Sequence, residues 1–219
     1  GKIKKNRKVQ QTQERPRQGG NIMDIMDFMT LEGREQQMLL LVYIVYAFVP
    51  NVAKPVLYIS GPQGSAKSSH SEMIKKIVDP AHIDQVNLSV SLRDTTLSLH
   101  QNYAVVFDNL SKITQRQSDM ICQAVTGGGA VRRKLHSDEE CINFKFKNCI
   151  IMNGIDCAVA RSDLLDRSIL VEVQRLDAAK RIPKNELDQK FAKKRSGILG
   201  AIFDVLAKAI KIYPSVKLD

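Results

Sequence analysis

The stretch LYISGPQGSAKSSH, residues 57–70, decides the fold of this chain. A short β-rich run leads into a loop of glycine and serine, and a helical pattern follows. This order is that of a phosphate-binding loop, G-x-x-x-x-G-K-[ST], in which a strand and a helix N-terminus place backbone N–H groups around a phosphate chain. Gly61, Lys67 and Ser68 fit the pattern, and Ala66 stands where the last glycine is usual. The stretch predicts a nucleotide site; the alternative is a turn rich in glycine and serine that happens to contain a lysine.

Polar residues follow two later apolar runs. Asp108 comes directly after VVF, and Asn153 ends the run CIIMN. Because open α/β sheets bind their ligands at the carboxyl ends of the strands, we expect Lys67, Asp108 and Asn153 around one γ-phosphate, with Asn153 orienting the attacking water. Ser68 and Asp108 are then expected to hold Mg²⁺. Locally, Asp108 could equally cap the next segment, and Asn153 could begin the turn NGID.

The alternation of strand and helix patterns predicts an α/β fold, a parallel sheet covered by helices on both faces. Within it, residues 86–90 have the pattern of a weak strand and residues 131–146 that of a β-hairpin. Ahead of it, residues 21–28 predict a short amphipathic turn. Thr30 is then expected to cap a largely buried helix that Pro50 ends.

Composition divides the chain into three parts. Residues 1–20 are rich in lysine and arginine and contain almost nothing to bury, which predicts a basic flexible arm or linker. Residues 21–177 form the α/β core, and residues 178–219 are purely helical in pattern, as expected of a small C-terminal subdomain.

The charge and the cysteines limit the partners and the setting. A net charge of +10 indicates an anionic partner: nucleic acid, a polyphosphate or an anionic membrane. The longest apolar run, Met38 to Val49, is far shorter than the roughly 20 residues that cross a bilayer, so no membrane span is predicted. The sequence has no signal peptide, and the cysteines lack metal-site spacing. They are therefore expected to be core residues in a reducing, cytoplasmic protein. They stand at positions 122, 141, 149 and 157.

Five motifs occur in a specific order: LYISGPQGSAKSS, VVFDNLS, VTGGGAVRRKLHSDEE, IIMNGID and RSDLLDRSILVEV. This order resembles the AAA+ ATPases of the superfamily III helicase branch, and is most similar to replication helicases of phages and mobile elements, which have minichromosome-maintenance-like relatives. The resemblance covers roughly residues 30–212. It implies an ATP-hydrolysing, Mg²⁺-dependent motor that assembles as a homo-oligomeric ring, expected to be a hexamer, on single-stranded or forked DNA.

The resemblance also assigns roles to single residues. Asp108 resembles the Walker B acid and Asn153 the sensor 1 residue. Arg167 is similar to the arginine finger that reaches into the ATP site of a neighbouring subunit, with Arg161 as the second candidate. Arg167 could instead pair with Asp163 or Asp166. The loop resembles Walker A and would hold ATP through Gly61, Pro62, Gln63, Gly64, Ser65, Ala66, Lys67, Ser68 and Ser69.

Two positions depart from that pattern. Ala66 replaces a glycine, and Asn109 stands where the family has a second acid, the presumed general base. An asparagine can orient a water but cannot accept its proton, so hydrolysis is expected to be slow or to use a base from elsewhere. This leaves two alternatives to the motor: an ATP-dependent assembly switch with little hydrolysis, and a P-loop kinase.

The predicted hairpin follows three glycines and is strongly basic. The resemblance places it in the central channel of a ring, where it would track a nucleic-acid backbone with little sequence preference. A solvated hairpin tip is the alternative. The DNA-binding candidates are Arg132, Arg133, Lys134 and His136. The other histidines, His70, His82 and His100, receive no role.

Overall fold

A computed structural model describes residues 10–89, 91–133, 141–145, 147–155, 161–177 and 181–216. A 3₁₀ helix spans Ile22–Phe28 and another Tyr213–Ser215. The helices are α1 (Arg34–Ala47), α2 (Lys67–Val78), α3 (Leu92–Gln101), α4 (Gln115–Thr126), α5 (Ser162–Leu165) and α6 (Lys184–Ile212). The strands are β1 (Val56–Ser60), β2 (Ala104–Leu110), β3 (Gly129–Arg133), β4 (Cys141–Lys145), β5 (Cys149–Gly154) and β6 (Ser168–Glu172).

Four strands form the central sheet in the order β2-β5-β1-β6, and all neighbours are parallel. Successive side chains of a strand point to opposite faces, so each strand contributes to two cores. In β1, Leu57 and Ile59 pack with α1, α2 and α6, whereas Val56 and Tyr58 pack with α3, α4 and α5. The predicted α/β sheet with helices on both faces is confirmed.

Strand β5 lies between β1 and β2, so the carboxyl ends of these three parallel strands lie side by side. Ser60 of β1 pairs with Gly154, and Phe107 of β2 pairs with Met152. The loop after β1, the acid after Phe107 and the polar end of β5 therefore meet at one edge of the sheet, as predicted.

Two local predictions are wrong. Residues 86–89 are not a strand: Val86 makes a single bridge to Phe107 at the edge of the sheet. Thr30 does not cap α1, which begins after Gly33 without a side-chain cap. The Thr30 hydroxyl instead donates to the carbonyl of Ser65 at 3.2 Å and so helps to fix the conformation of the phosphate loop.

The helix α1 is only half buried, although the sequence predicted a largely buried helix. One face packs into the core through Leu40, Tyr43 and Ile44. On the other, Met38 and Val42 are exposed by 50% and 54%. When all faces of a predicted helix are apolar, the sequence does not indicate which face packs against the core.

Two of the four cysteines are core residues, as predicted, and a third, Cys141, begins β4. Cys122 and Cys149 are free and buried. Cys157 lies outside the described residues. Within the described ranges, no helix is long and apolar enough to cross a membrane.

The prediction of a flexible arm over residues 1–20 is wrong for residues 10–20, which pack on the folded core. The amide of Gln11 donates to Pro80 O and that of Arg17 to Ser196 O, both at 2.9 Å. At Gly200, an added Cβ would lie 2.0 Å from the carbonyl oxygen of Arg17, so the segment runs directly against the backbone of α6. Residues 1–9 lie outside the described part.

The predicted helical C-terminal part consists, where the structure describes it, mainly of α6, which the second 3₁₀ helix follows. Phe191 meets Phe28 edge to face with ring centroids 5.3 Å apart, and Phe203 meets Phe48 at 5.2 Å. Phe191 and Ile198 join the same core as α1 and α2. The division of the chain at residue 177 stays a prediction.

Candidate nucleotide-binding site

The phosphate loop joins β1 to α2, and the N-terminus of α2 is accessible to an anion. No acidic residue occupies the first turn of α2, and no side chain caps it. The first N–H groups of a helix have no partner within the helix, and the helix dipole gives this end a partial positive charge. Together with the loop N–H groups they form the cradle that a phosphate chain needs.

The side chain of Lys67 folds back onto its own loop. Its ammonium group donates to Gly61 O at 2.7 Å, Pro62 O at 2.8 Å and Ser65 Oγ at 3.4 Å. Burial lowers the pKa of Lys67 from its ordinary value, while the charge of Asp108 opposes this shift. A nucleotide phosphate would exchange these carbonyl contacts for charge-assisted ones, which are stronger.

Ser68 and Asp108 lie close enough to share an ion. The hydroxyl of Ser68 donates to Asp108 Oδ1 at 2.9 Å. A hydroxyl and a carboxylate at this spacing supply the oxygen ligands that Mg²⁺ prefers when its other positions hold water and substrate phosphates. The residues present therefore fit the predicted metal.

Asn109 and Asn153 are linked at an irregularity in the sheet. The register of β2 against β5 shifts between Phe107 and Leu110, and Asn109 has φ 55°. Its amide donates to Asn153 Oδ1 at 3.0 Å. Asparagine is one of the few non-glycine residues that tolerate this left-handed conformation, so the backbone itself favours Asn109.

The amide of Asn153 is held on two sides. Besides accepting from Asn109, it donates through Nδ2 to Ser71 Oγ at 3.0 Å, and the residue is 1% exposed. Ser71 in turn donates to Lys67 O at 3.0 Å. A side-chain amide has two N–H donors, and within the described residues Asn153 uses one of them, toward Ser71.

These groups line one cleft of about 480 Å³. Its wall includes every predicted loop residue from Gln63 to Ser69, together with Asp108, Asn109 and Asn153. Gly61 and Pro62 form the base of the loop, where they accept from Lys67. The structure thus brings together the predicted catalytic, metal and phosphate residues, with one exception.

The exception is Arg167, which lies at the opposite end of the sheet. Its carbonyl accepts from the amide of Val56, the first residue of β1, whereas the loop follows Ser60 at the other end. A rise of about 3.3 Å per residue separates Val56 and Ser60 by roughly 13 Å before the loop begins. In the chain alone, Arg167 pairs with Asp163, the alternative that the sequence left open.

Arg161 and those DNA-binding candidates that the structure describes are not among the residues that line the cleft. Arg161 precedes α5 and is exposed. Arg132 and Arg133 end β3, which pairs with β4 in the predicted antiparallel hairpin. Lys134 and His136 lie outside the described residues.

The sequence does not reveal three groups near the loop. Ser71 was not singled out, although its place four residues after Lys67 puts it on the same face of α2. His70 was given no role, yet it is 2% exposed, and burial followed by the charge of Lys67 lowers its pKa to about 4. Arg181 extends to Gly64, where an added Cβ would lie 3.1 Å from its Nη2. No local pattern predicts that last contact, because it joins distant segments.

Comparison with known proteins gives the family. The family model of the actinomycete integrative conjugative element replication protein matches residues 21–216. The chain belongs to this family. A search of curated proteins gave no match to the replication protein.

Solved structures agree on the fold of the replication protein. The apo structure of the NrS-1 C-terminal region (305–718) matches with a TM-score of 0.60 and 14% identity, over 86% of this chain and 47% of that one. A second crystal form of the NrS-1 C-terminal region matches with a TM-score of 0.60 and 13% identity, over 86% and 46%. The chain therefore spans about half the length of these structures and shares their fold.

The left-handed backbone at Ala66 gives a prediction for this replication protein. Ala66 has φ 61°, where a Cβ costs about 1 to 2 kcal/mol, so Ala66→Gly should raise the free energy of unfolding by about 0.5 to 1 kcal/mol after the added chain entropy of glycine. Urea unfolding measures it. The matched control is Ala207→Gly on the exposed side of α6, which should lower the free energy by about 1 kcal/mol. Destabilisation by both substitutions would contradict the strain at Ala66.

Proposed function

We propose that the chain is the ATPase motor of a mobile-element replication protein, which hydrolyses ATP in a homo-oligomeric ring, a hexamer, and acts on DNA as a helicase. The observation that carries the proposal is the single cleft that holds the phosphate loop, the Ser68–Asp108 pair and Asn153. Membership of a replication-protein family supports the DNA part. Such a protein would work in the cytoplasm, where its ATP and DNA are found.

In the proposed reaction, the chain positions the triphosphate and a water. The loop and the N-terminus of α2 bind the phosphates, and Lys67 neutralises the β- and γ-oxygens. Mg²⁺, held by Ser68 and Asp108, would withdraw charge from the transferring phosphoryl group. The second N–H of Asn153 would serve the γ-phosphate or the attacking water, and Asn109 can orient that water without accepting its proton.

Arg167 completes the proposed site from a neighbouring subunit. It lies at the far end of β1 from its own loop and is 39% exposed at its side chain. The ion pair with Asp163 is also exposed, and such pairs stabilise a protein by about 0 to 1 kcal/mol. Breaking it to free the guanidinium therefore costs little free energy. A ring that places this end of one chain against the cleft of the next would deliver the cation.

The basic hairpin supplies the proposed contact with DNA, and it gives a test. DNA-stimulated ATP hydrolysis is expected, and replacing Arg132 and Arg133 with alanine should abolish the stimulation while leaving basal hydrolysis unchanged. The logarithm of DNA affinity falls linearly with the logarithm of salt concentration, and the steepness of this line should decrease by about 1 to 2. The reason is that each phosphate contact that is lost removes the release of about one counterion. Fluorescence anisotropy and a coupled ATPase assay measure the two effects.

The control for the hairpin is removal of residues 1–9. It deletes four lysines and one arginine but leaves the packed residues 10–20 in place. If this truncation alone removes the DNA stimulation, and the hairpin variant does not, the proposed channel contact is wrong.

The second candidate function is an ATP-dependent assembly switch, which the amide at Asn109 favours. A switch would bind ATP and assemble but would show no turnover with DNA, and Asn109→Glu would not restore it. Since glutamate is strained at φ 55°, Asn109→Asp, which tolerates this conformation better, is the companion variant.

A further inference from the structure

A second cavity adjoins the phosphate cleft on the other side of the loop. Its volume is about 400 Å³, and it shares Gly64, Ala66 and Ser69 with the cleft. The apolar part of its wall comes from the end of the first 3₁₀ helix, the segment after β6 and the start of α6; it includes Phe28, Leu176 and Leu187. The wall also contains Asp27, Arg181 and Lys184. A ligand that fills both cavities would carry a phosphate chain at one end and, at the other, a group with apolar surface and polar edges.

His70 lies in the wall of this second cavity and has an unused hydrogen-bonding atom. The residue is 2% exposed, and its Nδ1 is buried with no hydrogen-bond partner among the described residues. A buried polar atom without a partner costs about 1 to 3 kcal/mol, so the structure gains when a ligand supplies one. Ser71, the next residue of α2, uses its hydroxyl within the protein, at Lys67 O.

The state of the imidazole determines what it can bind. Because Nδ1 has no partner among the described residues, the neutral ring can carry its proton on the other nitrogen, which leaves Nδ1 as an acceptor. The ring lines the cavity, and its torsion about Cβ–Cγ is soft, so the ring can rotate to meet a ligand there. Adenine offers an amino group at position 6, a donor, whereas guanine offers a carbonyl oxygen, which is another acceptor.

From this geometry we propose that His70 is the specificity-determining residue for the nucleotide base, with Nδ1 accepting a hydrogen bond from the 6-amino group of adenine in the second cavity. The proposal rests on the proposed nucleotide function and names its base. It assigns the cavity to a purine and makes His70, rather than the loop, responsible for discrimination against guanine.

The test uses diphosphates, which are not hydrolysed at the γ position. The dissociation constants of ADP, GDP and pyrophosphate, each with Mg²⁺, are measured by calorimetry for the wild-type chain and for His70→Phe, which keeps an aromatic ring. One lost hydrogen bond should weaken ADP about 3- to 10-fold. The affinity for pyrophosphate should not change, and the preference for ADP over GDP should fall by the same factor. The matched control is His82→Phe, since His82 is exposed and outside both cavities.

The results separate the two levels of the proposal. If neither ADP nor pyrophosphate binds the wild-type chain, the proposed nucleotide function itself is wrong. If both bind and His70→Phe keeps the wild-type ratio of ADP to GDP affinity, only the role of His70 is overturned.

A second measurement needs no variant and applies even if His70→Phe fails to fold. Purine riboside 5′-diphosphate lacks the 6-amino group of ADP and is otherwise the same ligand. The wild-type chain should bind it about 3- to 10-fold more weakly than ADP. Equal affinities would overturn the proposal.

Discussion

Replacing Arg167 with alanine should lower kcat for ATP hydrolysis by about 10³-fold or more and leave the Kd for ATP of the isolated chain unchanged. The size follows from the role of an arginine finger, which stabilises charge that develops only in the transition state. The unchanged affinity follows from the place of Arg167, which adjoins Val56 at the opposite end of the sheet from the loop. A steady-state ATPase assay and calorimetry measure the two quantities.

Mixing two inactive variants distinguishes a finger from a local structural role. A chain with Arg167→Ala keeps an intact cleft, and a chain with Lys67→Ala keeps an intact Arg167. Rings that contain both should recover part of the activity, because some interfaces then combine an intact cleft with an intact arginine. Asp163→Ala is the control, since it removes the partner of Arg167 within the chain and should retain activity. Co-assembly without any recovery would rule out action across an interface.

A second large effect is expected at Asp108. The substitution Asp108→Asn keeps the shape of the side chain and an oxygen that can accept from Ser68, so the free energy of unfolding should change little. It removes the negative charge that faces the metal position, so kcat should fall by at least about 100-fold and the Mg²⁺ concentration for half-maximal activity should rise.

The control for Asp108 is Asp119→Asn, because Asp119 lies on the exposed side of α4, where it accepts a hydrogen bond from Gln115 one turn earlier. It should leave both kcat and the Mg²⁺ requirement unchanged. Full activity of Asp108→Asn at ordinary Mg²⁺ concentrations would show that Asp108 does not hold the catalytic Mg²⁺.

The cleft could be predicted from sequence because its signals are local. Asp108 and Asn153 follow the apolar parts of β2 and β5, and the loop before Lys67 follows β1. Parallel strands bring these ends together, so the three residues could be predicted from pattern alone. Asn109 is an instructive case. The sequence shows only a missing carboxylate, whereas the structure shows a left-handed backbone and a bond to Asn153 that suit an asparagine.

What could not be predicted depends on contacts between distant segments. The packing of residues 10–20 depends on the close approach of Arg17 to Gly200, which no local pattern contains. The same holds for Arg181 beside Gly64. For His70, the decisive fact is the lack of a partner for Nδ1, and that is a property of the finished packing around α2.

The docked segment at residues 10–20 also gives a fixed point for spectroscopy. Gln10 pairs with Ala81, next to the end of α2 that is furthest from the phosphate loop. A fluorophore placed at position 10 would therefore be held by the fold and could not obstruct nucleotide entry. Energy transfer between such dyes on neighbouring chains would report the assembly of a ring, and its dependence on ATP, without a label anywhere near the chemistry.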